Sequence, residues 1–253
     1  MKIHILNNPK EIGSAAGALA ASLIKNAINQ NGLANIILAT GTSQFETLNT
    51  LVADKKIAWE KVVMFHLDEY IGLPVISKAS FRNYLQERFI DRISPLKAVN
   101  LINGEVDPKI ECRRLNELIS EHPIDVALIG IGENGHLAFN DPPADFDTTE
   151  PFIIVQLDEA CRKQQLGEGW FPSLAEVPTH AISMSVKQIL RSQNIICSVP
   201  DSRKAMAVKH TLENPVSNLY PASILQLHHN CMLFLDTDSA SLLSGKKENS
   251  LSS

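Results

Sequence analysis

The sequence predicts an α/β protein with an open, mostly parallel, Rossmann-like sheet and helices on both faces. Short apolar runs alternate with amphipathic stretches of helix length, which is typical of parallel βαβ units. Two of these runs end directly in polar segments, as strands do at the carboxyl edge of a parallel sheet. No internal repeat or low-complexity linker divides the 253 residues. We therefore expect one domain over residues 1–244 and a flexible, polar C-terminal tail over 245–253.

The predicted strands are the apolar runs, and the predicted helices are the longer amphipathic stretches between them. The first helix is expected to begin near Pro9, because the apolar stretch over residues 15–24 follows the polar residues 7–11. Strands are expected over residues 3–6, 34–39, 62–67, 125–131, 153–157, 181–186, 195–199 and 232–235. Helices are expected over residues 9–31, 44–53, 80–88, 109–121 and 202–213.

Composition excludes several classes of protein. With 44% hydrophobic and 20% charged residues, the chain is an ordinary globular protein. The net charge of -5 leaves no basic surface for nucleic acid, so an anionic ligand must be bound at a local site. The four cysteines have neither a CxxC pair nor a metal-ligand spacing, which favours reduced thiols over a disulfide framework or a zinc site.

The apolar stretch over residues 15–24 resembles the core of a signal peptide, but it follows the helix start at Pro9 and is better explained as one amphipathic helix. We therefore predict no export signal and no membrane span, and a cytoplasmic location.

A candidate anion site lies between the second predicted strand and the helix after it. Thr40, Gly41, Thr42 and Ser43 offer backbone N–H groups, small hydroxyls and a helix N-terminus, which together can hold an anion. The segment has neither the Walker spacing nor GxGxxG. Taken alone, a tight turn with a Ser or Thr cap explains it equally well.

A candidate cation for that site is Lys204. Together with Arg203 it follows a good capping sequence at residues 200–202, so both fall in the first turn of a predicted helix. The positive end of the helix dipole destabilises an exposed cation there by about 0.3–1 kcal/mol. An anion bound at the same end is attracted both by the dipole and by the cation, so the cation then becomes favourable. We favour phosphate binding by Lys204 over a solvated surface lysine, because the anion site also needs a cation.

Two adjacent carboxylates, Asp68 and Glu69, follow the third predicted strand. Side chains alternate along an extended chain, so one carboxylate can face a cleft while the other is a structural hydrogen-bond acceptor. A carboxylate beside a bound carbonyl compound can move a proton between neighbouring carbons. The alternative is a solvated pair of turn residues.

The segment over residues 132–142 follows the strand predicted at 125–131 and holds an imidazole and a carboxylate, His136 and Asp141. Pro142 keeps Asp141 extended, and such a pair can hold the histidine tautomer for acid–base work. A lone histidine is more often structural, and HxxxxD is not a metal-binding spacing, so we predict no metal.

These segments resemble the glucosamine-6-phosphate deaminase family, which shares its fold with 6-phosphogluconolactonases. The resemblance extends over most of the chain, through residues 39–42, 65–74, 132–142 and 225–228. The sequence Phe139-Asn140-Asp141-Pro142 favours the deaminase branch over the lactonases.

The resemblance implies isomerisation of a 2-amino aldose phosphate to a ketose phosphate with loss of ammonia. It assigns ring opening to His136 and the proton shuttle between carbons 2 and 1 to Asp68. Glu69 and Gly135 lie within the matching segments and are expected to bind substrate with Lys204 and residues 40–43. No cofactor is implied, because the nitrogen and carbonyl of the substrate delocalise the charge.

The chain departs from the family pattern beside His136 and in the segment that would carry the family's active-site arginine. Asn134 stands where the family usually has Asp, and Asp141 where it has Glu. Asn134 cannot accept a proton, so Asp141 or water must act as any base required there, although Asn134 can still orient His136. Arg162 or Lys163 is the candidate to replace the arginine.

Several functions remain open at this stage. Glucosamine 6-phosphate is the leading substrate, and its galactosamine epimer is a close rival. A 6-phosphogluconolactonase and a non-catalytic sugar-phosphate sensor are further alternatives. The retained Asp68 and His136 favour catalysis, and the absence of a basic DNA-binding segment argues against a sensor domain of a repressor. A sugar phosphate is the expected partner, and a homo-oligomer is possible.

Overall fold

The central element of the fold is a seven-stranded sheet in which every neighbouring pair is parallel. The structure, a computed structural model, describes residues 1–167 and 169–245. The strands are β1 Lys2–Leu6, β2 Ala34–Leu38, β3 Val62–His66, β4 Asp68–Tyr70, β5 Ala98–Asn100, β6 Val126–Ile129, β7 Phe152–Gln156, β8 His180–Met184, β9 Asn194–Val199 and β10 Cys231–Asp236. The central sheet has the order β1-β10-β9-β6-β2-β3-β5.

Helices cover both faces of this sheet, as predicted. They are α1 Pro9–Asn31, α2 Phe45–Ala53, α3 Phe81–Arg88, α4 Pro108–Ser120, α5 Glu159–Gly167, α6 Val186–Leu190 and α7 Ala205–Glu213. Alternate residues of β2 point to opposite sides, so Ile37 belongs to one apolar cluster and Ile36 and Leu38 to the other. The first cluster includes α4 and α7, and the second includes α1, α2 and α3. The predicted α/β fold is therefore confirmed.

The first helix begins and ends where the sequence indicates. The Asn8 side chain accepts a hydrogen bond from the Glu11 backbone N–H, and Pro9 occupies the first turn. Gly32 ends the helix in the left-handed conformation, with its N–H bonded to the Ile28 carbonyl.

A second, three-stranded sheet of order β4-β8-β7 is antiparallel and lies beside the central one. The chain passes from one sheet to the other at Leu67, whose carbonyl accepts a 2.7 Å hydrogen bond from the Met184 N–H. The strand predicted over 62–67 corresponds to β3, and β4, which follows it at 68–70, was not predicted. The alternation of the sequence does not predict this second sheet, because an apolar run does not specify which strand it pairs with.

Besides β4 and the isolated 3₁₀ turns, the elements β5, α5 and α6 were not predicted. β5 is an edge strand of three residues with partly exposed side chains, so it carries little apolar signal. α5 has the polar sequence EACRKQQLG, and α6 has only five residues. The helices predicted from residues 44 and 202 begin with a 3₁₀ turn, at Thr42 and Ser202, before α2 and α7 continue.

Within the described residues, no helix is both long enough and apolar enough to cross a membrane. Cys112, Cys161, Cys197 and Cys231 are all buried and free. Apart from Gly245, the tail predicted over 245–253 lies outside the described residues.

Candidate active site

A pocket opens where β2, β3, β6 and β9 of the central sheet end. It brings together the segment after β2, the first residue of β4, the loop after β6 and the start of α7. Of the residues predicted to form the site, those that line the pocket are Thr40, Gly41, Thr42, Ser43, Asp68, His136 and Lys204. The carboxyl ends of parallel strands meet at one edge of a sheet, which explains why segments distant in sequence converge here.

The anion site predicted after β2 is a 3₁₀ turn, Thr42–Gln44, at the start of α2. Gly41 precedes it with φ of 92°, a conformation that favours glycine. Gln44 is fully buried and donates from Nε2 to Ser43 Oγ and to the Ile129 carbonyl, both at 3.1 Å. These bonds attach the turn to the end of β6 and so hold the start of α2 in place. The first N–H groups of a helix have no partner within the helix, and they can donate to an anion.

Lys204 and Arg203 occupy the 3₁₀ turn Ser202–Lys204, directly before α7. Asp201 caps this turn by accepting from the Arg203 backbone N–H at 2.9 Å. The backbone of Asp201 has φ of 90°, an uncommon value for a residue with a side chain, and its own N–H donates to the Asp236 carboxylate. The turn is thus held in place from both sides, with its two cations beside the pocket.

The paired carboxylates of β4 separate as the alternation predicts. Asp68 lines the pocket. Glu69 is fully buried and accepts from Ser80 Oγ at 2.8 Å, the Arg82 N–H at 2.9 Å and Arg82 Nε at 3.3 Å. It also accepts from the Tyr70 N–H at 2.9 Å. Burial raises the pKa of Glu69, and the hydrogen bonds from Arg82, Ser80 and Tyr70 oppose that rise.

These contacts correct the expectation that Glu69 binds substrate. Its carboxylate joins β4 to the N-terminus of α3, where Ser80 is the cap and Phe81 the first helical residue. With every contact given to the protein, Glu69 is the structural acceptor of the pair.

His136 is held by two neighbours through one ring nitrogen. Its Nδ1 lies 2.8 Å from Asn134 Oδ1 and 3.1 Å from Asp141 Oδ1. Asn134 Nδ2 donates to the same Asp141 oxygen at 2.9 Å, which fixes the orientation of the amide. Both neighbours of Nδ1 are acceptors, so Nδ1 carries the proton and Nε2 of the neutral ring is the acceptor.

Asp141 supplies the charge of this arrangement. Burial acts to raise its pKa, but three interactions outweigh burial and hold the pKa below the usual 3.8: the hydrogen bond with His136, the charge of that ring when it is protonated, and the Asn134 amide. Asn134 and Asp141 are not part of the pocket lining, and both contact the Nδ1 side of the His136 ring.

Gly135 has no place in the pocket lining and closes the turn that carries His136. Its N–H donates to the Gly132 carbonyl at 3.0 Å, and its own carbonyl accepts from the Ala222 N–H at 2.8 Å. These two hydrogen bonds shape the loop, and direct substrate binding by Gly135 stays a prediction.

The family model for glucosamine-6-phosphate isomerases and 6-phosphogluconolactonase matches residues 7–234 of this chain. The chain belongs to this family. A glucosamine-6-phosphate deaminase of Listeria monocytogenes is 35% identical over 231 residues, which is 90% of this chain and 96% of that protein. One from Bacillus thuringiensis is 33% identical over 245 residues, covering 96% and 90%.

Solved structures of the family have the same fold. A monomeric glucosamine-6-phosphate deaminase superposes with a TM-score of 0.87 and 31% identity, covering 96% of this chain and all of that one. A 6-phosphogluconolactonase from Thermotoga maritima superposes with a TM-score of 0.77 at 14% identity, covering 93% and 99%, which is a likeness of fold.

Within this family fold, α5 closes one side of the pocket with two amides, Gln164 and Gln165. The Tyr70 hydroxyl donates to Gln165 Oε1 at 2.7 Å and so orients that amide. Sequence reasoning missed both glutamines, as well as the pocket residues Phe81 and Phe139. Phe139 lies in the segment that resembles the family, but no motif marks Phe81 or the glutamines. The helix α5 reaches the pocket only through tertiary packing against the aromatic cluster around Tyr70.

The structure also shows that neither candidate to replace the family arginine reaches the pocket. Arg162 donates from Nε and Nη2 to the carbonyls of Val177 and Leu174. Lys163 is exposed and pairs with Glu159 one helical turn away. The cations that line the pocket among the described residues are Arg203 and Lys204, and sequence reasoning assigned a ligand role only to Lys204.

Replacing Glu69 by alanine is expected to lower the free energy of unfolding by about 3 kcal/mol, because removing one partner leaves the Arg82 charge buried. The matched control is Glu105→Ala, which removes another carboxylate from the same arginine, at 3.0 Å. Glu105 is 42% exposed, so its loss is expected to cost less than about 1 kcal/mol. Urea unfolding measures both, and equal losses would contradict the anchoring role of Glu69.

Asp141 is expected to make the stability depend on pH at the acid end. Its pKa in the folded protein is below the usual 3.8, so its contribution is complete above that value and is lost as the pH falls through the lowered pKa. In Asp141→Asn, the free energy of unfolding is therefore expected to fall less steeply below about pH 4. Urea unfolding at several pH values measures this slope, and parallel curves for the two proteins would contradict it.

Proposed function

We propose that the protein converts glucosamine 6-phosphate to fructose 6-phosphate and ammonia. The observation that carries the proposal is one pocket in which an anion site, a carboxylate base and an oriented histidine converge. The naming of the 33–35% identical relatives as glucosamine-6-phosphate deaminases supports the same reaction. No cofactor takes part in the proposed reaction.

In this proposal the phosphate lies at the turn over residues 40–43, with Lys204 supplying positive charge. The N–H groups at the start of α2 and the side-chain hydroxyls donate to its oxygens. A protein of net charge -5 needs such a local site to hold a dianion. Binding of the phosphate at this turn fixes the position of the reacting end of the sugar relative to Asp68 and His136.

Ring opening is assigned to His136. The neutral ring accepts the proton of the C1 hydroxyl at Nε2 while the bond between C1 and the ring oxygen breaks, and it returns a proton to that oxygen. The imidazolium formed in between is stabilised by Asp141, 3.1 Å from Nδ1. Asn134 accepts from Nδ1 without adding charge, so a single carboxylate serves the ring.

The isomerisation is assigned to Asp68. Its carboxylate removes the C2 proton of the open-chain amino aldehyde while the C1 oxygen gains a proton, giving an enolamine. The carboxyl group then returns its proton to C1, and a proton lost from the C2 nitrogen balances the one gained by the C1 oxygen, so that the ketimine forms. Water then adds to C2, and ammonia leaves as the ketone of fructose 6-phosphate forms. Asp68 is 7% exposed, so it works in a pocket largely shielded from bulk water.

Gly132 makes room for the histidine. A Cβ built on Gly132 would lie 2.1 Å from His136 Cε1 and 2.3 Å from both ring nitrogens. The imidazole therefore packs directly on the backbone at residue 132. The orientation proposed for ring opening depends on glycine at this position, because any other residue would place a Cβ where the ring lies.

The cytoplasmic location and the possible homo-oligomer stay predictions. The solved relative with the TM-score of 0.87 is described as monomeric.

The test of the proposed function is ammonia release from glucosamine 6-phosphate, compared with galactosamine 6-phosphate, with identification of the ketose phosphate. Asp68→Asn is expected to lower kcat by about 10³-fold and to abolish proton exchange at carbon 2, while a non-reacting sugar phosphate still binds. Asp145→Asn, outside the pocket lining, is the control that keeps its activity. Release from the galacto epimer alone would replace the substrate, and release from neither would overturn the proposal.

Gly132→Ala is expected to lower kcat/KM by about 100-fold, because the new methyl group displaces the His136 ring. The control is Gly167→Ala, where an added Cβ meets nothing within 4 Å and activity should be kept. Steady-state kinetics of ammonia release measure the effect. Full activity in Gly132→Ala would contradict the proposal that ring opening depends on the position of the His136 ring.

A further inference from the structure

Arg203 is the second cation at the pocket and has no part in the mechanism above. It precedes Lys204 in the turn before α7, so both side chains start from the same rigid backbone. An arginine offers a planar set of donors that suits two oxygens of one phosphate, whereas lysine donates from a single point.

The Arg203 guanidinium is already oriented by acidic neighbours. Asp201 Oδ2 accepts from Nε at 3.1 Å and from Nη2 at 2.8 Å. The hydrogen bond from Arg203 holds the pKa of Asp201 below its usual value. Asp201 thus fixes one edge of the guanidinium.

The other edge of the guanidinium touches the loop that carries His136. Arg203 Nη1 lies 3.4 Å from Glu133 Oε1, and Glu133 stands between Gly132 and Asn134. The side chains are 49% and 35% exposed, so water screens this long ion pair. A phosphate dianion offers stronger, charge-assisted hydrogen bonds and can take the place of Glu133.

The two cations of α5 contact other groups of the protein. Arg162 is bonded to the carbonyls of Val177 and Leu174, and Lys163 is paired with Glu159 on the exposed side of α5. The side of the pocket formed by α5 presents Gln164 and Gln165, which are neutral. Positive charge for a phosphate therefore comes from the α7 side of the described pocket.

We propose that Arg203 is a second phosphate-binding residue, which exchanges its contact with Glu133 for an oxygen of the bound phosphate. This inference rests on the proposed function for the identity of the ligand and extends it to a residue that acts on binding. Because the phosphate keeps its charge throughout the reaction, Arg203 lowers KM and leaves kcat nearly unchanged.

The test uses Arg203→Gln, Arg203→Lys and Glu133→Gln, with Lys163→Gln as the control for loss of one positive charge. The probes are inorganic phosphate and glucitol 6-phosphate, which cannot isomerise, and phosphate-free glucitol. Calorimetry gives the Kd for each, and the melting temperature without ligand checks that each variant is folded.

Arg203→Gln is expected to weaken binding of both phosphate probes about tenfold, and Arg203→Lys about threefold, because lysine keeps the charge but not the paired donors. Glu133→Gln is expected to strengthen binding about twofold, since the competing carboxylate is gone. With glucosamine 6-phosphate, the same changes are expected in KM and not in kcat.

An unchanged Kd in Arg203→Gln, or a loss equal to that in Lys163→Gln, would overturn the assignment. Weaker phosphate binding in Glu133→Gln would overturn the proposed exchange. The binding measurements need no turnover, so they are independent of the proposed reaction. If no ammonia is released but Arg203→Gln still weakens phosphate binding, the proposed function fails and the role of Arg203 stands.

Discussion

The buried carboxylate of Glu69 is the interaction on which the candidate site depends. It joins the short strand β4 to the start of α3 through Ser80 and Arg82. This fixes the backbone just where the chain leaves the central sheet for the small antiparallel one. Side chains alternate along β4, so the burial of Glu69 on one side directs Asp68 to the pocket on the other. A structural ion pair thereby determines the position of a proposed catalytic base.

The lining of the pocket contains both cations and a carboxylate. Lys204 and Arg203 lie at the start of α7, beside the backbone turn over residues 40–43, while Asp68 and His136 lie at the ends of β3 and β6. The two cations give a protein with a net charge of -5 a local positive site for the proposed phosphate.

The histidine is controlled by a neutral amide and a single carboxylate. Asn134 accepts from Nδ1 and donates to Asp141, so it orients both partners and adds no charge. The arrangement shows how the chain keeps an oriented imidazole although Asn stands where the family usually has Asp. The proximity of Gly132 to the ring is a second, steric constraint on the same orientation.

The sequence by itself determined the parallel α/β fold, the turn after β2 and the polar loop after β6, because each depends on local patterns of apolar residues, glycines and caps. The separation of Asp68 from Glu69 also follows from strand alternation. Only the tertiary structure decided that β7 and β8 form a second sheet and that α5 closes the pocket with glutamines. It also removed Arg162 from the site and placed Arg203 there. These outcomes depend on pairing and packing between distant segments, and no local pattern in the sequence predicts them.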